Sequence, residues 1–176
     1  SKSGWETHSQ NIPSNIRDFT FILLYRNPLE RLVSSFFMPQ VPQNICFKDF
    51  VLNYTTFHDH HQCPQTKGGH GVDIFKKCNK PFDYTINTKN LNELPGLIEK
   101  LTEKNIQRNI KENMLKRISE EQTLDIEYYN IKKSIFNRDK IGIPKWENFY
   151  DEELKIIAIN KLKSDYDFFE SIDIKF

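Results

Sequence analysis

The stretch FILLYRNPLERLVSSFF, Phe21 to Phe37, opens as an unbroken apolar run and closes as a helical stripe, with Arg26, Asn27 and Pro28 at the join. Thr20 to Tyr25 is continuously apolar after its first residue and partly β-branched and aromatic, which predicts a strand buried on both faces of a parallel sheet. Pro28 fits the first turn of a helix, where a missing N–H costs nothing. Leu29, Leu32, Val33 and Phe36 then follow at i, i+3, i+4 and i+7 and predict a core-facing stripe, with Glu30, Arg31, Ser34 and Ser35 on the other faces. The stretch therefore reads as strand, tight turn and helix, the unit from which α/β folds are built.

The remainder of the chain supplies the rest of such a domain. At 176 residues it is long enough for one compact domain spanning 1–176 and short for two. Apolar residues make up 38% and include 14 Phe, too much large apolar surface for a disordered chain. Met38 to Asn44 reads as a loop, and Phe47, Phe50, Val51 and Tyr54 keep helical spacing. His58 to Lys80 lacks periodicity and reads as a long surface loop, and Phe82 to Ile86 as a second strand. Leu94, Leu97, Ile98 and Leu101 mark a helix with Pro95 in its first turn. Asn105 to Lys140 is charged, with apolar residues at Ile106, Ile110, Met114, Leu115 and Ile118, and is expected to be partly exposed helix. Asp151 is an expected N-cap, with Glu152 and Glu153 in the first turn of a closing helix through Leu154, Ile157, Ala158 and Leu162.

Charge and cysteine content narrow the possible partners. Net charge is +1, so no global field steers a polyanion, nucleic acid is not an expected partner, and any anion site has to be local. Six of the 25 basic residues are Arg, which makes each one informative. Cys46, Cys63 and Cys78 are odd in number and form no CxxC, which favours a reducing compartment, and no apolar run reaches the roughly 20 residues needed to span a bilayer. The reading is of a soluble, cytoplasmic chain unless an upstream anchor has been removed.

Arg26 sits where the C-terminal edge of a parallel strand meets a helix N-terminus, a place where N–H groups and the helix dipole favour an anion. Its planar fork matches a phosphate bidentately, and Ser34, eight residues further and about two turns into the helix, can donate to the same group. Alternatively Arg26 pairs with Glu30 and Ser34 is an ordinary helix-surface serine. Arg31 reads as an ion-pair residue fixing the turn.

The segment YRNPLERLVSSF resembles the 3′-phosphate-binding segment of the carbohydrate sulfotransferases, a strand followed by Arg-(Asp/Asn)-Pro-x-x-Arg-Leu-Val-Ser-(Ala/Ser)-(Tyr/Phe), matched here by Arg26, Asn27, Pro28, Arg31, Leu32, Val33, Ser34 and Ser35. HQCPQ, His61 to Gln65, is similar to that family's His-x-x-Pro-Gln element, FDYTINTKNL to the strand and turn after it, and FYDEELKIIAINKLKSDYDFF to its closing helix. The family commonly carries a glutamate where this chain has Lys89.

The resemblance implies a P-loop-NTPase-like sulfotransferase fold, with a short parallel sheet flanked by helices. It also implies transfer of a sulfuryl group from 3′-phosphoadenosine 5′-phosphosulfate (PAPS) to a carbohydrate hydroxyl without a metal. Arg26 and Ser34 would then hold the 3′-phosphate of PAPS. The base would be His8, at a similar distance before the Arg26 strand as the catalytic histidine of the uronyl 2-O-sulfotransferases, or His61, whose motif borders the acceptor cleft.

The family's upstream 5′-phosphosulfate loop has at most a remnant here, Lys2, Ser3 and Gly4, so that loop is expected upstream of this chain or altered. Tyr54 and Phe57 stack on a ligand or, as the commoner use, pack in the core. Two further readings stay open: a catalytically inactive module binding a nucleotide or glycan on the same scaffold, and a zinc-stabilised interaction domain built on His58, His60, His61, Cys63, His70 and Cys78.

Overall fold

The computed structural model describes residues 16–53, 81–103, 127–136 and 144–176. The described residues form a mixed α/β arrangement of five α-helices, several 3₁₀ turns and one sheet of two parallel strands. Strand β1 is Ile22–Tyr25 and strand β2 is Tyr84–Asn87, paired from Ile22↔Tyr84 to Tyr25↔Asn87. Asp83 clips their starts together, because the Phe21 amide donates to its Oδ2 at 2.7 Å while the Asp83 and Tyr84 amides donate to Phe21 O.

The strand Thr20 to Tyr25 is shorter than its apolar run and is not buried on both faces. Only two strands are paired among the described residues, so the sheet is covered unevenly. Leu23 and Tyr25 pack against Phe168 and Phe169, whereas Leu24, pointing the other way as strand alternation requires, is 42% exposed. The second strand likewise starts at Tyr84, two residues later than expected.

Helix α1, Pro28–Phe36, begins where the sequence places it: Asn27 is the N-cap, its Oδ1 accepts from the Leu29 amide at 2.9 Å, and Pro28 takes the first turn. Leu29, Leu32, Val33 and Phe36 are all buried. Glu30 and Ser35 are buried as well, contrary to their assignment to other faces. The reason is that α1 is enclosed from more than one side. It packs against α2 (Phe47–Leu52), α4 (Glu152–Lys161) and the 3₁₀ turn Trp146–Phe149, so its buried arc is wider than one apolar stripe.

Around α1 lies an aromatic core. Phe36, Phe47, Phe50 and Phe149 are fully buried, and Phe47 meets Phe36 at 5.5 Å, Phe149 at 5.5 Å and Tyr150 at 5.1 Å between ring centroids, all near edge-to-face. The segment 127–136 closes over it as two 3₁₀ turns, Tyr128–Asn130 and Lys133–Ile135, where the sequence predicted α-helix. Lys133 is buried there and donates from Nζ to Met38 O at 2.5 Å and Val41 O at 2.7 Å, which satisfies two carbonyls of the loop after α1. The five apolar positions Ile106 to Ile118 lie outside the described residues, as do Tyr54 and Phe57.

Helix α3, Leu94–Thr102, carries Pro95 in its first turn, but none of its residues is buried, so its apolar stripe is not a core face. The closing helix starts at Asp151, whose Oδ1 accepts from the Leu154 amide at 2.6 Å, and it is broken in two at Leu162. Helix α5, Lys163–Glu170, turns Phe168 and Phe169 towards the sheet.

Two tyrosines join the ends of this arrangement and give it an alkaline limit. Tyr150 donates from its hydroxyl to Leu29 O at 2.9 Å, and burial, with the neighbouring Tyr166 second, holds its phenol well above the usual value of 10. Burial followed by the Asp165 charge pushes Tyr166 up to about 12. Both phenols keep their protons longer folded than unfolded. The unfolded chain therefore releases protons first, and stability that is full below pH 10 falls as pH rises towards 12. Chemical denaturation at pH 8, 10 and 11.5 should show this loss. Tyr150→Phe should flatten it while costing about 1 kcal/mol at neutral pH, the typical net contribution of one hydrogen bond.

Candidate anion site at the strand ends

The register Tyr25↔Asn87 brings the C-terminal ends of both strands side by side, so Arg26 leaves one strand next to Thr88 and Lys89 leaving the other. On the β1 side, the α1 N-terminus is fixed by Asn27. On the β2 side, Asn87 Oδ1 accepts from the Lys89 amide at 2.9 Å and turns the chain sharply.

Arg26 is divided between the two partners the sequence offered it. Nη1 donates to Ser34 Oγ at 3.0 Å, and Nη2 pairs with Glu30 Oε1 at 2.9 Å. Glu30, 3% exposed, is also 3.9 Å from Lys89 Nζ through its second oxygen. The pairing of Arg26 with Glu30 is thus present, and a different nitrogen of the same guanidinium contacts Ser34. Ser34 accepts from Arg26, and a hydroxyl that accepts keeps its own proton for a second acceptor.

Arg26, Arg31, Ser34, Ser35 and Thr88 line an open cavity of about 270 Å³ together with Leu24 and Met38. Its polar walls hold two guanidiniums and three hydroxyls. Ser35 is committed to the Arg31 carbonyl at 2.9 Å. Leu24, exposed, and Met38 add apolar surface to this lining, so the cavity combines cationic, hydroxyl and apolar groups.

The other sequence-predicted residues fare differently. His8 and His61 lie outside the described residues, as do Lys2, Ser3, Gly4, the HQCPQ segment, Cys63, Cys78 and the remaining histidines. Among the described residues no group of three or more His, Cys, Asp or Glu is placed to hold a metal, and no helix is long and apolar enough to cross a membrane. Cys46 is described, and its Sγ caps α2 by accepting from the Asp49 amide at 3.4 Å. The contribution of Thr88 to the cavity and of Lys89 to Glu30 was not foreseen. The signal available was the turn NTK straight after the second strand, since residues following parallel strands share one edge of the sheet.

Comparison with protein-family models, curated proteins and solved structures finds no match to this chain.

Proposed function

We propose that the strand-end cavity binds the 3′-phosphate of PAPS and that the chain is a sulfotransferase-type domain acting on a carbohydrate hydroxyl. The observation that carries this reading is the Arg26 Nη1 to Ser34 Oγ contact of 3.0 Å at the wall of the cavity. One charge-bearing donor and one hydroxyl, from residues eight positions apart, converge on a single open space at the C-terminal edge of parallel strands. A phosphate oxygen entering there accepts from both.

In the proposed reaction the acceptor hydroxyl oxygen attacks the sulfur in line, forming the new O–S bond. The S–O bond to the 5′-phosphate breaks, its electron pair leaves with 3′-phosphoadenosine 5′-phosphate, and the hydroxyl proton passes to a base, for which His8 and His61 are proposed.

Calorimetric titration with 3′-phosphoadenosine 5′-phosphate tests the site. Saturable binding is expected, and Ser34→Ala should weaken it by about threefold to thirtyfold, the range for one hydroxyl hydrogen bond to a charged acceptor. Ser34 is exposed and alanine is a better helix former, so the substitution spares the fold. An absence of saturable binding by the native chain sinks the nucleotide reading, and a Ser34→Ala isotherm that overlays the native one removes Ser34 from the site.

A further inference from the structure

We infer that Lys89 sets the anion affinity of this site from behind, by neutralising Glu30, and is a positioning and charge-balancing residue with no need to touch the ligand. The inference rests on the phosphate-binding reading above. Glu30 presents a difficulty for that reading: a buried carboxylate 2.9 Å from the guanidinium that is to receive the phosphate, placed to repel the incoming anion and to cancel the charge that attracts it. Arg26 and Glu30 alone form a neutral pair. Lys89 approaches the other oxygen of the same carboxylate at 3.9 Å, so the group becomes two cations around one anion and adds to the positive charge that Arg31 brings to the cavity wall.

The end of β2 brings Lys89 to this place. Asn87 closes β2 opposite Tyr25, and its side chain caps the turn through the Lys89 amide at 2.9 Å, which fixes the lysine backbone beside the start of α1. The ammonium itself is half exposed, at 51%, so it contributes charge without a large burial cost. Charged groups at this spot from each neighbouring element are Arg26 at the end of β1, Glu30 and Arg31 on α1, and Lys89 after β2. Removing Lys89 takes one positive charge from beside Glu30 and lowers the attraction for an anion. Removing the Glu30 charge as well restores the original balance, since one cation then remains where two cations and one anion stood.

Titrations with 3′-phosphoadenosine 5′-phosphate test this on the native chain, Lys89→Gln, and Lys89→Gln combined with Glu30→Gln. Lys89→Gln should weaken binding by about threefold to tenfold, the scale of one partly solvated charge a few ångströms from the site. The double variant should return to within about twofold of the native affinity, and the deficit of the single variant should shrink between about 0.05 M and 0.5 M salt as screening shortens. Thermal midpoints report whether each variant folds, and Lys89→Arg should behave as native.

Native-like binding by Lys89→Gln overturns the inference while leaving the site itself intact. So does a double variant as weak as the single one, which would place Lys89 in direct contact with the ligand. Failure of the native chain to bind overturns the phosphate reading and this one with it.

Discussion

Arg26→Ala is expected to bind 3′-phosphoadenosine 5′-phosphate about 10- to 150-fold more weakly than the native chain, because a charge-assisted hydrogen bond to phosphate contributes roughly 1.5–3 kcal/mol. The variant should also be less stable, and the two losses have different causes. Glu30 is almost fully buried and takes a hydrogen bond of 2.9 Å from Arg26 Nη2, so alanine removes a charged partner from a buried carboxylate. Leaving a buried acceptor under-satisfied costs about 1–3 kcal/mol.

Adding Glu30→Gln to Arg26→Ala separates these terms. The neutral amide relieves the buried charge and should recover much of the lost stability, yet it restores no donor to the phosphate. Affinity in the double variant should therefore regain no more than about threefold to tenfold, the gain from removing the Glu30 charge, and stay below native, while the denaturation midpoint rises. If affinity returns fully to native together with stability, Arg26 supports the fold and the phosphate assignment is wrong. Calorimetry and urea denaturation on the same three proteins decide the matter.

The second large effect belongs to the core. Phe47→Ala is expected to destabilise the chain by about 3–5 kcal/mol, the usual range for emptying a buried aromatic site. Phe47 is fully buried and its ring meets Phe36, Phe50, Phe149 and Tyr150, so four rings from three segments lose a common neighbour. These contacts join α2 to α1 and to the turn at Trp146–Phe149, and rigid aromatic neighbours collapse poorly into a void. With about 2–4 °C per kcal/mol for a chain of this size, the thermal midpoint should fall by roughly 6–20 °C. Phe47→Leu, which keeps most of the volume, should cost clearly less. Equal losses for alanine and leucine would mean that ring geometry, more than filled space, holds these helices together.

How legible the molecule was varies along the chain for physical reasons. The junction at Arg26 was readable because its information is local. Asn27 caps through its own side chain, Pro28 fixes one backbone angle, and the i, i+3, i+4, i+7 stripe needs only one core to face. Asp151 was readable on the same grounds. The strand length was not, because apolarity from Thr20 to Tyr25 reports what may be buried, whereas pairing depends on what lies beside it. The break at Leu162 and the 3₁₀ turns in 127–136 escaped for a related reason: helical spacing persists in sequence even where neighbouring segments impose a turn.

Sequence by itself determined the strand-turn-helix unit, the N-cap at Asp151, the apolar stripe of α1, and the placement of Arg26 at the strand end and Ser34 within the helix that follows. Tertiary structure alone decided that Lys133 is buried, its ammonium satisfied by the Met38 and Val41 carbonyls more than 90 residues away. It likewise decided that Glu30 is buried between Arg26 and Lys89. The physical reason is the same in both cases. Composition predicts that a charge stays in water unless it is paired, and whether a partner arrives depends on segments distant in the chain, here the end of a second strand meeting the end of the first.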